Sequence, residues 1–286
     1  MSTVLGGRMF KLKDQLENQF PPNISHEERT IFGPDNNELI ISIFRKKSSR
    51  GLLDQKGHPG VYHIRGGGLI AGNRFTGITW PLKVVEELDA ICISIEYRLA
   101  PAHPDPAPIE NCYSGLTWIV KHAAELGVDT RHILIHRASA GGGLSAGVTL
   151  LCRDRNGPTL IGQILFAPML DDRNGTMSAH QFEGKGIWDR RDNLRGWSAL
   201  SGEGRGSENV SIYAAPAREI DLSGLPPAFI DVGSCETFRD EVIQYAQKRW
   251  QHGVQCELHV WPGGFHGFEA LLPERFSISC SYKAKA

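Results

Sequence analysis

No apolar run in this sequence reaches the roughly 20 residues that a membrane-spanning helix needs. The opening stretch, MSTVLGGRMFKLKDQLENQF, has no apolar core of the kind a secretion signal carries. Both absences lead to the expectation of a cytoplasmic protein without a membrane partner. Charge of one sign is also lacking: 31 Lys and Arg stand against 32 Asp and Glu, a formal net charge of −1, so no nucleic-acid partner is expected. Cysteine is sparse and scattered. Cys92, Cys112, Cys152, Cys235, Cys256 and Cys280 form no CxxC pair, and no His or Cys spacing fits zinc, so no metal is expected. Most of these thiols lie in apolar runs and are expected to be buried and reduced. Repeats and low-complexity tracts are missing as well, which excludes solenoids and disordered linkers.

What remains is ordinary globular material. The 286 residues are 41% hydrophobic and 22% charged, enough to bury a sizeable core. Apolar β-rich runs alternate with helical patterns, the signature of a mostly parallel twisted sheet flanked by helices. Eight strands are predicted at 29–32, 38–45, 60–64, 90–97, 132–136, 162–169, 227–233 and 255–261, the first two as an antiparallel edge hairpin around GPDNNE. Helices are predicted at 77–88, 107–125, 140–153 and 238–252. The expectation is an α/β protein forming one domain over 1–286, with cap elements at about 1–26 and 171–215. The second of these is polar but dotted with Phe182, Trp188, Trp197 and Leu200, bulky groups that need something to bury against; Trp188 and Trp197 are therefore candidates for lining a substrate cleft.

The chemistry-bearing residues lie at strand ends. Ser139 sits in HRASAGGG, between the strand HILIH and the helix AGGGLSAGVTLLC, where a tight turn exposes a serine oxygen. Ala138, Ala140, Gly141 and Gly142 keep that turn small. A serine hydroxyl needs a base, and the base an orienting acid. DVGSCETFRDE and HVWPGGFHGFE each follow a strand and supply Glu236 and His266 in the order Ser, acid, His. The glycines of YHIRGGGL, after another strand, let backbone N–H groups approach a substrate oxygen; Gly66, Gly67 and Ala140 are the expected oxyanion donors. The serine chemistry that these motifs suggest needs no cofactor.

These motifs, together with EYRLAPAHPDPAP, resemble the hormone-sensitive-lipase-like carboxylesterases of the α/β-hydrolase fold, over about residues 60–268. The resemblance implies an α/β-hydrolase sheet of eight strands with a small cap, a Ser139–His266–Glu236 triad, and Asp240 as a structural carboxylate. It also implies a small-molecule ester or lactone substrate of small to medium size, and a last strand through which such proteins often form a homodimer. Two positions depart from the family pattern: Arg65 replaces His and Arg137 replaces Gly. Three readings of these arginines stay open at this stage: bracing of the loop through a carboxylate (Asp105, Glu96, Asp171 or Asp172), receipt of a substrate carboxylate, or damage to the site. Three functions stay open accordingly: a serine hydrolase working through an acyl-enzyme, a catalytically impaired protein that binds a small molecule on the same frame, or a non-hydrolytic enzyme using the same triad. His63 and His136 are expected to be structural.

Overall fold

A computed structural model describes residues 20–49 and 57–268. Most of the expected N-terminal cap, and Cys280, lie outside the described residues. The strands are β1 (Ile24–Phe32), β2 (Glu38–Lys46), β3 (His58–Ile64), β4 (Ile91–Glu96), β5 (Val128–Ala138), β6 (Gly162–Phe166), β7 (Ala228–Gly233) and β8 (Cys256–Trp261). They form one eight-stranded sheet in the order β1-β2-β4-β3-β5-β6-β7-β8. β1 and β2 pair antiparallel, as do β2 and β4, and every later pair is parallel. The predicted edge hairpin is present, its turn closed by the Gly33 N–H on the Asn37 carbonyl at 2.8 Å.

The sheet carries apolar residues on both faces because both are covered. Val61, Phe44 and Cys92 point to one side, where Ile78, Leu82 and Val85 meet them from around helix α1 (Thr79–Leu88). Tyr62, Ile64, Ile93, Ile95 and Ile135 point to the other, onto α2 (Ala107–Lys121) and α4 (Ser139–Asp154), and Ile230 and Val232 of β7 share that core with α7 (Arg239–Gln251). The continuous helix expected over 107–125 is interrupted: His122 leaves the helical region at φ −107°, and a short α3 (Ala123–Leu126) follows. The His122 ring stacks on Trp118 and bonds its carbonyl at 2.9 Å, a local alternative to continuing the helix.

Helix α4 is buried along nearly its whole length, so its glycines are contact surfaces. A side chain at Gly143 would run into the Met169 carbonyl, and one at Gly147 into that of Tyr213. The 171–215 segment holds α5 (Met177–Gln181) and α6 (Arg190–Ser201), in addition to the four helices that apolar periodicity predicts. A capping box between Asp189 and Asp192 starts α6. Its inward face buries Trp197 and Leu200 in the main core. Of the thiols, Cys92, Cys112 and Cys152 are buried, whereas Cys235, in the loop after β7, is exposed and Cys256, at the start of β8, is half-buried.

Candidate active site

Chain direction decides where the chemistry collects. The parallel strands end on one rim, and the loops after β3, β5, β7 and β8 meet there, as ligand-binding loops do in open α/β sheets. Between β5 and α4 the backbone turns at Ser139, whose φ of 59° is the left-handed region that a residue with a side chain adopts only under constraint. The constraint is visible at Gly141: a Cβ there would overlap the carbonyl oxygens of Ile64 and Arg65, so helix and strand touch backbone to backbone. Ser139 opens α4, and the first N–H groups of a helix have no intrahelical acceptor and carry partial positive charge.

The structure brings Ser139, His266 and Glu236 together. His266 Nε2 lies 3.0 Å from Ser139 Oγ, and His266 Nδ1 lies 3.0 Å from Glu236 Oε2. Glu236 is buried, and its other oxygen accepts the Phe238 N–H at 3.3 Å. The His266 ring packs edge-on against Phe238 at 5.4 Å between centroids. The loops that carry acid and imidazole are tied together by the Cys235 N–H on the Gly264 carbonyl at 2.8 Å. Asp240 holds the Ser178 N–H at 2.7 Å, a link from α7 to α5.

The glycine run lies beside the serine. A Cβ on Gly66 would sit 3.5 Å from Ser139 Cβ and 3.1 Å from the Ala138 carbonyl oxygen. Gly67 adopts φ 114°, and its carbonyl accepts the N–H groups of Ile70 and Ala71, closing a compact turn. Trp188 lies against Gly68 with its ring 6.4 Å from that of His266, at the mouth of the site. Trp197 is placed elsewhere: it is 1% exposed within the main core, because the period of α6 turns it inward, so the expectation that it lines the cleft is corrected.

The two arginines have distinct surroundings. Arg65 is 1% exposed. Its Nη2 donates to the Tyr97 carbonyl at 2.9 Å, its Nη1 lies 3.2 Å from Glu96, and the guanidinium stands 3.9 Å above the Tyr97 ring. Glu96 also receives Arg74 at 3.3 Å. Among the four carboxylates considered, Glu96 is therefore the partner, while Asp171 pairs with Arg173 and Asp172 with Arg218. With its charge met and its surface covered, Arg65 is not placed to receive a substrate carboxylate, which corrects that expectation. Arg137 is half-buried, passes over Gly141, and donates from Nη1 to the Gly77 carbonyl at 3.1 Å. Its extra bulk is threaded behind the loop, and the serine–imidazole distance is kept. Arg137, a substrate-contact candidate, makes this contact to backbone.

Beneath Arg137 lie two buried imidazoles. His63 bonds the Thr76 carbonyl at 3.1 Å, and the His136 ring lies 4.1 Å from that of Trp80. Burial, with the Arg137 charge second, holds His63 well below the ordinary imidazole range. Burial, then His63, then Arg137 do the same for His136. Sequence reasoning did not single out Tyr97 or Glu241. Tyr97 was visible only as part of the EYRLAP motif, and Glu241, buried on α7, accepts the Leu170 N–H at 2.7 Å and the Asp171 N–H at 3.3 Å. Burial pushes the Glu241 carboxyl well above its usual range. Among the described residues no cluster of three or more His, Cys, Asp or Glu forms a metal site, and no helix is long and apolar enough to cross a membrane.

A family model described as alpha/beta hydrolase fold matches residues 61–270. The carboxylesterase NlhH of Mycobacterium tuberculosis is 32% identical over 249 residues, which are 86% of this chain and 76% of that protein. The esterase LipI of the same organism is 31% identical over 226 residues, 77% of this chain and 69% of that one. Among solved structures, a bacterial heroin esterase superposes with a TM-score of 0.83 at 36% identity, covering 87% of this chain and 78% of that one. The chain belongs to the α/β-hydrolase family, in its hormone-sensitive-lipase-like carboxylesterase branch.

Proposed function

We propose that this protein is a carboxylic ester hydrolase that works through an acyl-enzyme on Ser139. The observation that carries this reading is the unbroken chain of contacts from Ser139 Oγ through His266 to Glu236, 3.0 Å at each step. Ser139 Oγ attacks the ester carbonyl carbon while its proton passes to His266 Nε2; Glu236 holds the Nδ1–H and offsets the imidazolium charge. The oxygen that becomes negative is held by the N–H groups of Gly66, Gly67 and Ala140. His266 then returns the proton to the departing alcohol, and a water activated by the same imidazole frees the acid. The reading of an impaired binder rested on Arg137 displacing the elbow, and its side chain lies behind the loop instead.

Trp188 over Gly68 narrows the approach to the donors, which favours esters or lactones of small to medium size. We read 1–286 as one hydrolase domain with cap elements at about 1–26 and 171–215, operating in the cytoplasm, with the outer edge of β8 as the surface for a homodimer. A fluorophosphonate probe is expected to label the protein at Ser139, and Ser139→Ala is expected to lower kcat by about 10⁶-fold on a p-nitrophenyl ester. Folded protein that takes no label and turns over no ester would sink the assignment.

A further inference from the structure

An oxyanion hole made of backbone N–H groups is only as rigid as the peptide planes that carry them. In a planar peptide, fixing the carbonyl of one residue fixes the N–H of the next. The Gly66 N–H shares its plane with the Arg65 carbonyl, and the Ala140 N–H shares its plane with the Ser139 carbonyl. Both carbonyls are held. The Met169 N–H donates to the Ser139 oxygen at 3.0 Å, from a segment whose next two N–H groups are gathered by the buried Glu241. The Tyr97 hydroxyl donates to the Arg65 oxygen at 3.1 Å.

Resting on the hydrolase reading above, we propose that Tyr97 is a positioning residue for the reaction: its hydroxyl, by holding the Arg65 carbonyl, sets the plane in which Gly66 presents its N–H to the oxyanion. Tyr97 is 1% exposed, so it acts on the substrate only through that peptide. It is itself clamped. Arg65 returns a hydrogen bond to the Tyr97 carbonyl at 2.9 Å and covers the ring at 3.9 Å, so neither residue turns without the other. A hydrogen bond accepted by a carbonyl also strengthens the donor at the other end of the same amide, by roughly 10–30%. Burial pushes the Tyr97 phenol far above its ordinary range even with Arg65 beside it, so the hydroxyl stays a donor at working pH. The arginine at the head of the glycine run therefore serves as the lock on the tyrosine.

Tyr97→Phe removes the hydroxyl and keeps the ring under Arg65. Losing a whole oxyanion donor lowers kcat by about 10²–10³, so loosening one is expected to lower it by about tenfold. KM for p-nitrophenyl butyrate should stay within about twofold. Inhibition by a trifluoromethyl ketone, whose adduct on Ser139 places an oxyanion in the hole, should weaken by the same factor as kcat falls. A folded Tyr97→Phe protein with kcat within about twofold of the parent overturns the proposal. So does a loss of kcat without a matching loss of ketone affinity, or one carried by KM, since either marks a merely structural role. If Tyr97→Phe does not fold, Arg65→Met unlocks the ring while leaving the hydroxyl in place. There about a threefold matched loss of kcat and ketone affinity is expected, and parental values overturn the proposal. Ser139→Ala separates the two levels. If it keeps parental turnover, the hydrolase reading itself fails; if it abolishes turnover while Tyr97→Phe is parental, only the role of Tyr97 falls.

Discussion

The turns after β3 and β5 lie side by side on the rim of the sheet, and each has an arginine at its approach: Arg65 directly follows β3, and Arg137 is the next-to-last residue of β5. At the first, Arg65 is enclosed and meets Glu96, a carbonyl and an aromatic face. At the second, Arg137 is half-buried, ends on a carbonyl, and has two neutral imidazoles below it. The difference is accompanied by burial: the enclosed guanidinium of Arg65 has a carboxylate within reach, and Arg137 keeps part of its hydration beside a carbonyl dipole. It teaches that the same residue type does two jobs at neighbouring turns. Arg65 holds Tyr97, whose hydroxyl meets the Arg65 carbonyl at the head of the glycine run; Arg137 fills space behind the turn at Ser139.

The strongest way to break the comparison is at the backbone contact both turns share. Gly141→Ala would drive a Cβ into the Ile64 and Arg65 carbonyls, displacing elbow and oxyanion loop together. A shift of about 1 Å can lose about a hundredfold in rate, and kcat/KM is expected to fall at least that far. Glu96→Gln leaves the enclosed Arg65 without its carboxylate. Breaking a fully buried pair destabilises by about 3–5 kcal/mol, and the partial exposure of Glu96 reduces this to about 2 kcal/mol, measurable by urea unfolding. No change in the unfolding midpoint would mean that the pair is dispensable.

Acid sharpens the contrast from the Arg137 side. His63 and His136 are held neutral in the fold, while in the unfolded chain they take up protons near pH 6.5. Stability is therefore full above that pH and is lost as pH falls below it, until the folded imidazoles themselves protonate. Tm should drop between pH 7.5 and 5, and the slope should become shallower in His136→Phe, whose ring can keep the packing on Trp80. An equal slope in that variant would count against the imidazoles. The smallest effect is expected at Arg137→Gly. It removes one hydrogen bond to Gly77 and adds backbone freedom, about 1 kcal/mol in all, with kcat within about threefold. A steep rise in turnover would instead mean that Arg137 impairs the elbow.

Much of this molecule was legible in advance. The strands were readable because both faces of the sheet are buried, so ICISI and ILI appear as unbroken apolar runs. The loops that carry Ser139, Glu236 and His266 were readable because each follows an apolar strand. Trp197 was misplaced because an aromatic residue in a polar segment signals only that it must be buried, and α6 buries it downward into the core rather than over the cleft. The break at His122 depended on a local hydrogen bond that periodicity does not register.

Composition and order along the chain determined the kind of sheet, the rim where the loops gather, and the residue types delivered to it, since hydrophobic period and turn chemistry are local properties. Which of the candidate partners each arginine meets was decided by tertiary structure. Glu96 and Tyr97 reach Arg65 across the β3–β4 pairing, and Gly77 reaches Arg137 from a loop 60 positions away. A buried charge takes its partner from whatever the fold sets beside it, and distance along the sequence carries no trace of that choice.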